Sequence, residues 1–475
     1  MVLRRIPLFI LFFTVITLSA QVNSPYSRYG LGNIFPTTFG AANGMAGMSA
    51  AYFMPSNINY QNPASYADIN YAMFDAGAYG NAITLDDDGE RYTSGDGNLS
   101  YLAFGFPLMK KLRHAKLGLS FGLIPYSAFQ YDIIEEQPTD DPLLGTIQYN
   151  YVGTGKLYQL YGGLGYKYET TPDTIALIKQ DSVIIAVNIF SVGSNAANLF
   201  GSLYNITYAS FPDQVNSQTT KLTRENSING GIYNFGVGYT RQYIRKTSAN
   251  RDNLVWRVGA SMTPQINVNG TQSIVWTNIL KNGNYESVTD TLYAAPDTSG
   301  NITLPSSFQG GIGFSFLTSQ SDKKNSFTLL AQYSQTNWST YKGFQDAGQL
   351  GDSWRATIGG EFYTKVEAKN QTAQEEKEQR VYNNVPWAIR FAVYTGESNL
   401  IVDGVQLSDR GISTGLSIPL GIGKNAQPNF RYSRLNLFVN AGQRGSNTTI
   451  TETYYNFGIG FTLVDTAWFQ DYKLN

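Results

Sequence analysis

The sequence predicts a transmembrane antiparallel β-barrel of about 14 strands, with 16 as the alternative count, and an N-terminal plug in its lumen. Three observations carry that reading. Only 15% of the 475 residues are charged, against roughly 25% in a soluble globular chain. Apolar residues alternate with small or polar ones over short runs, which is the period of a strand. After residue 20 there is no apolar stretch as long as the roughly 18 residues of a spanning helix, so any crossing of a membrane falls to strands.

The chain opens with Arg4 and Arg5, an apolar run from Ile6 to Leu18, and Leu18-Ser19-Ala20 before Gln21. A basic start, a short apolar centre and a small-residue end read as a secretory signal peptide over 1–20. The run falls short of the roughly 20 residues of a spanning helix, and no Cys follows Ala20 to carry a lipid. Residues 21–70 are rich in Gly, Ala, Asn and Ser without a sustained period. They are expected to form the plug, or hatch, with a disordered periplasmic tail as the bland alternative. Residues 71–475 are expected to form the barrel, with long extracellular loops.

Fourteen runs read as strands: 71–80, 98–106, 115–124, 155–168, 182–190, 229–243 and 253–264, then 308–316, 325–336, 351–363, 387–394, 410–418, 432–443 and 454–464. In the last, Tyr455, Phe457, Ile459, Phe461 and Leu463 share one face, and Asn456, Gly458, Gly460 and Thr462 the other. Trp387, Ile389, Phe391 and Val393 oppose Ala388, Arg390 and Ala392, and Trp256 and Val258 oppose Arg257 and Gly259. A soluble β-sandwich would carry Lys and Glu on its second face. Here that face is small and charge-poor, as a barrel with lipid outside requires. The 33 Tyr and 27 Phe supply the outer wall and interface belts.

An even count places both chain ends on the periplasmic side of an outer membrane. The connections on the other side average about twice as long, the asymmetry expected of extracellular loops. Within them, Ser194–Ser202 reads as a short helix, and 265–307 as holding a hairpin above the membrane; a hairpin joining the wall would give 16 strands. The inner connection 364–386 is long and charged, a solvated turn or a docking element for a periplasmic partner.

Chemistry is thin. With no Cys there is no thiolate nucleophile or sulfur-ligated metal, and with one His no multi-histidine site, so neither enzyme activity nor a cofactor is expected. His114 falls in a basic turn, whereas a barrel hydrolase would need its His beside a Ser in the wall. Asp86, Asp87 and Asp88 form a weak candidate cation loop, their carboxylates consecutive rather than spaced. A net charge of −1 gives no field to gather nucleic acid. Lys167, Arg257, Arg355, Glu361 and Arg390 fall on the polar faces of strands and are the candidate lumen-facing charges. They would bond to the plug and to one another, or line a path for a substrate headgroup.

Gly40-Ala41-Ala42-Asn43-Gly44-Met45-Ala46-Gly47-Met48-Ser49-Ala50-Ala51, followed by Asn62-Pro63-Ala64-Ser65, resembles the hatch of the FadL-type (OmpP1, toluene-transporter) outer-membrane barrels. The resemblance implies a 14-stranded barrel with Asn62, Pro63 and Ala64 as a hatch signature. Asn23–Gly32 looks like the opening of the Bacteroidetes branch, whose members are not all transporters. Two functions are therefore expected. One is passage of a hydrophobic small molecule across the outer membrane through hatch and lumen. The alternative is a non-transporting accessory barrel of a type IX secretion or barrel-assembly complex, with outer-membrane or periplasmic protein partners. The first requires an apolar pocket and a wall opening, the second a sealed lumen.

Overall fold

The computed structural model describes residues 24–465 except 88–89, 110–113, 140–144, 180–181, 215–216, 248–250, 284, 321–322, 345–349, 368–386, 403, 421–432 and 446–450. The leader at 1–20, Asp88 and nearly all of 364–386 lie outside the described residues.

A wall of 14 antiparallel strands follows the order of the chain: β1 (Ala72–Asp87), β2 (Glu90–Met109), β3 (Ala115–Ala128), β4 (Thr146–Glu169), β5 (Ser182–Ser210), β6 (Thr219–Thr247), β7 (Arg251–Thr263), β8 (Ser307–Gln320), β9 (Lys323–Thr336), β10 (Ser353–Glu367), β11 (Ala388–Val402), β12 (Val405–Pro419), β13 (Arg434–Gly445) and β14 (Thr451–Asp465). The sheet closes on itself through β1 and β14, in register from Ala72↔Asp465 to Asp86↔Thr451. Closure joins the first and last strands of the sheet, so neither ends as a free edge in lipid. Among the described residues no helix is long and apolar enough to cross a membrane.

The alternation read in the sequence sorts side chains between two solvents. On β11, Ala388, Arg390 and Ala392 are buried inward, while Ile389, Phe391 and Val393 lie about half exposed outside. On β14, Tyr455, Phe457 and Ile459 face out and Thr462 faces in. Such an exposed apolar exterior is the surface lipid requires.

We call the end that holds Ala72 and Asp465 the base and the opposite end the crown. Strands β4, β5 and β6 run 24, 29 and 29 residues, against the roughly 9–11 that a tilted strand needs to cross. They therefore rise well beyond the membrane as a crown. Ile266–Asn282 pairs with the upper half of β6, and Tyr285–Ala294 and Thr298–Leu304 pair in turn with that strand. Tyr131–Pro138 adds to β4 in the crown, and Asp173–Lys179 adds to β5 at the base. The extension at 266–304 stays outside the closed wall, which excludes the count of 16.

Ser194–Ser202 is not a helix. Each of its residues pairs with β4 on one side and β6 on the other, as Asn198 does with Leu160 and Gly231. Two ladders of inter-strand bonds outweigh the weak local preference of SNAANLFGS for helix. The parity expectation also needs correcting at one point. Strand ends Ala72 and Asp465 share the base, but Ser24, the first described residue, lies at the crown, its hydroxyl 3.4 Å from Glu452. Parity counts crossings of the wall; the segment before β1 makes one more passage through the lumen.

One stretch of wall departs from the regular ladder. β2 pairs with β3 only from Leu102↔Leu123 to Met109↔Leu117. Beyond Leu123, β3 bends inward, with Ile124, Ser127 and Ala128 fully buried. Pro125, which has no N–H to give, and a register shift against β4 at Ser127 mark the bend. Among the described residues, Glu90–Tyr101 of β2 thus finds its strand partners on β1 alone, with Ser100 bulged out of that ladder.

The lipid assignment makes a quantitative demand. Ile358 is 65% exposed on β10, opposite Val393 of β11. Ile358→Arg is expected to lower the unfolding free energy in lipid by about 2–4 kcal/mol. Val288→Arg, on the exposed crown strand, should change it by less than about 0.5 kcal/mol. Equilibrium denaturation in vesicles measures both.

Candidate functional site

Residues 24–71 descend from crown to base inside the barrel. A 3-10 turn at Pro25–Arg28 sits against the crown, where Tyr26 packs with Leu400 and Leu407. Asn33 and Ile34 then pair with Ala128 and Ser127, the inward-bent end of β3. A helical turn at Gly40–Asn43 touches β12, β13 and β14. Further down, Met48 reaches Gly359 and Ala50 reaches Gly259 on the far wall.

Asn62, Pro63 and Ala64 open a second 3-10 turn, Pro63–Asp68. The Asn62 side chain caps it by accepting from Ala64 N–H (3.2 Å), and its amide donates to the carbonyls of Ala50 (2.7 Å) and Val237 (3.3 Å). It therefore ties the turn to an earlier part of the segment and to the wall. Pro63 occupies the first turn, where a missing N–H costs nothing. Ala64 is fully buried, its backbone against Gly193.

The wall admits the segment because it is lined by glycine at that level. Gly118, Gly165, Gly193 and Gly236 pair successively across β3, β4, β5 and β6, and Gly238, Gly259 and Gly311 across β6, β7 and β8. A Cβ on Gly193 would lie 2.4 Å from the Pro63 carbonyl carbon, and one on Gly259 would lie 1.9 Å from the Ala50 oxygen. Gly165, Gly236 and Gly238 thus face the segment directly.

Polar side chains of the wall complete the seating. Gln332 accepts from the N–H groups of Ser49 (2.7 Å) and Ala50 (2.8 Å), and Gln309 donates to Gln61 O (3.2 Å). Asn195 donates to Tyr60 O (2.8 Å), and Tyr60 O–H donates to Gln159 (2.7 Å). Tyr101 accepts from Gly40 N–H (2.9 Å) and donates to the buried Asp75 (2.9 Å).

Four of the five charges read from the sequence are paired in the lumen. Lys167 lies 2.5 Å from Asp68 of the segment and 3.2 Å from Glu169. Arg390, 1% exposed, meets Glu361 at 2.5 Å, and Tyr52 of the segment donates to the same carboxylate at 3.0 Å. Arg355 pairs with Asp409 at 2.6 Å beneath Tyr454 and Tyr394. Arg257 faces the segment beside Gly313, with no ion pair or hydrogen bond among the described residues. Sequence reading missed Asp409, although it shares a strand face with Ser413 and the same alternation would have found it. Asp68 carried no signal, because the segment has no period.

Alongside the segment lies a cavity of about 530 Å³ with a mixed lining, polar at Asn43, Gln61, Gln309, Arg355 and Asp409 and apolar at Phe35, Met262 and Phe308. Of the apolar cluster of the crown, Ile232, Leu304 and Trp338 border it, whereas Leu31, Leu157, Leu199, Leu203, Ile228 and Ile302 pack on one another. Outside the lumen, Asp86 forms an ion pair with Arg91 at 3.0 Å, and His114 accepts from Glu169 N–H through its backbone oxygen at 2.7 Å. The Asp87 side chain and Asp88 lie outside the described residues.

The family model of BamG matches residues 1–475. Among solved structures, the toluene transporter TbuX of Ralstonia pickettii is 13% identical, with 92% of this chain and 99% of that chain covered and a TM-score of 0.43. The Pseudomonas putida toluene transporter TodX is 13% identical over 91% and 99%, with a TM-score of 0.42. A Pseudomonas aeruginosa FadL homologue is 12% identical over 91% and 99%, with a TM-score of 0.40. No curated protein matches.

The buried pair at the segment provides a test of how the lumen is held. Glu361→Gln leaves Arg390 buried without its counter-charge and should cost about 3–5 kcal/mol. Adding Arg390→Met should recover most of that loss. Denaturation midpoints in detergent, with trypsin cleavage of 24–71 as a second readout, check both.

Proposed function

This chain belongs to the BamG family, and from that premise we propose that it is a non-transporting accessory barrel of an outer-membrane barrel-assembly complex. The observation that carries the proposal is the occupied lumen. The segment 24–71 is seated against glycines, bonded along its length, and pinned at Asp68 and Tyr52 to charges of the wall. A path for a hydrophobic solute needs a continuous apolar cavity, and the cavity beside the segment interrupts its apolar lining with amide, hydroxyl and charged groups such as Gln61, Gln309, Arg355 and Asp409. The family designation points toward barrel assembly as well.

In this proposal 21–70 is the hatch, with Asn62, Pro63 and Ala64 as its anchor, and 1–20 is a leader removed on export. The base faces the periplasm and the crown the outside, and the opening Asn23–Gly32 is read as that of the Bacteroidetes branch. A type IX secretion complex is the other machine that would use such a barrel. Lys167, Arg355, Glu361 and Arg390 are structural clamps rather than a path for a headgroup.

One observation favours the second reading, passage of a hydrophobic small molecule. The wall between β2 and the bent end of β3 has no backbone ladder, which gives a lateral route at lipid depth.

Purification of the tagged chain from native outer membranes in mild detergent, with mass spectrometry of bound proteins and lipids, separates the two. The accessory reading expects stoichiometric outer-membrane protein partners and no conductance in planar bilayers. A lone barrel that retains a defined hydrophobic molecule overturns it and establishes the transporter.

A further inference from the structure

We infer that the crown half of β2, Glu90–Ser100, is the docking edge for an extended strand of a second outer-membrane protein. The inference rests on the accessory reading and names its contact surface.

On its β1 side this stretch is laddered from Asp87↔Glu90 to Ala78↔Leu99, and a bulge at Ser100 precedes Gly77↔Tyr101. On its other side it has no strand partner among the described residues, since β3 leaves it after Leu123. Side chains alone bridge the space: Gln130 donates to Asp96 at 2.6 Å, and Lys156 donates to Asn98. Both bridges lie on the lumen side, because Asn81 and Tyr79, the partners of Asp96 and Asn98 on β1, line the inner cavity. The lipid side of the gap is left unbridged.

Its depth follows from the register. Leu99 pairs with Ala78, which pairs with Ile459; Gly97 pairs with Gly80 and so with Phe457; Gly95 pairs with Ala82 and so with Tyr455. Ile459, Phe457 and Tyr455 belong to the outward apolar band. The Gly97 N–H donates to the Asp96 carboxylate at 2.6 Å, but the other open-side groups of Gly95–Leu99 stand at a level where lipid offers them no hydrogen bonds.

Only an extended chain meets a row of alternating donors and acceptors. The protein itself supplies the precedent one strand away, where Asn33 and Ile34 pair with the freed residues Ala128 and Ser127 of β3. That short patch serves the β3 edge and leaves the β2 edge open. The outward surface beside the open edge is low: Ala78, Gly80 and Ala82 on β1 and Gly95 and Gly97 on β2. Apart from the Phe457 ring over Gly80 and the outward Leu99, a neighbouring strand meets only these small residues there. A solute or an acyl chain fills space but bonds no backbone, so the geometry favours a strand.

The chain contains no Cys, but the cleaner probe is a photo-crosslinking residue placed singly at Thr93 or Leu99 in the full-length protein in native membranes. Ile358 and Ile412, outward and more than 60% exposed on β10 and β12, serve as controls. The inference expects Thr93 and Leu99 to capture one discrete outer-membrane protein that the controls do not. It also expects Leu99→Lys to reduce recovery of that protein by about tenfold while the barrel keeps its heat-modifiable mobility. Adducts with lipid only, with a second copy of this chain, or equally from the controls overturn it. Should Leu99→Lys fail to assemble, the wild-type crosslinking pattern decides alone. Stoichiometric partners whose adducts all arise elsewhere reject this edge but leave the accessory reading standing; absence of partners rejects the accessory reading itself.

Discussion

Everything in this structure follows from the backbone hydrogen bond in a solvent that cannot replace it. Lipid offers nothing to an unpaired N–H, so strands must find partners on both sides, and the sheet must return to its own first strand. That demand fixes the ladder from Ala72↔Asp465 upward and overrides local preference where the two disagree, as at Ser194–Ser202. It also makes the one unladdered stretch of β2 the most informative part of the wall.

Because lipid accepts apolar side chains, the hydrophobic effect that organises a soluble core has little to do across the outer face. The specificity of the fold moves inward. There, close backbone approach at glycine, amide networks at Gln309 and Gln332, and paired charges at Arg390 and Lys167 hold a segment that has almost no regular structure of its own. Buried ion pairs contribute little net stability, but losing one partner is expensive, so they select a single seating of the segment over its alternatives.

All 14 wall strands were legible in the sequence, because period two with opposite chemistry on the two faces has one physical cause, a wall between lipid and a polar interior. The same alternation placed Lys167, Glu361 and Arg390 inward. What it could not show were heights and partners. β5 was read as ending near 190 but runs to Ser210, since above the membrane the outer face loses its apolar requirement and the signal fades. Asp68 and Tyr52, which complete the charge clusters, sit in a segment shaped by contacts with distant strands, so no local pattern announces them. The bend at Pro125 was present as a residue, yet its meaning depends on which neighbour β3 abandons.

The path of residues 24–71 has a bearing on how the molecule is made. The wall cannot shut until β14 reaches β1, so the last ladder to form needs residues up to Asp465, whereas the lumen segment is the first part of the described chain to exist. Its crown end at Ser24 and its base end at Tyr71 lie at opposite mouths of the barrel. A cork can be pushed into a finished bottle; a thread that runs from mouth to mouth, with its bulkiest turn clamped midway between glycines, is more simply wrapped than inserted. The passage from mouth to mouth and the close fit to the wall glycines thus favour winding the strands around the segment over threading it through a closed wall.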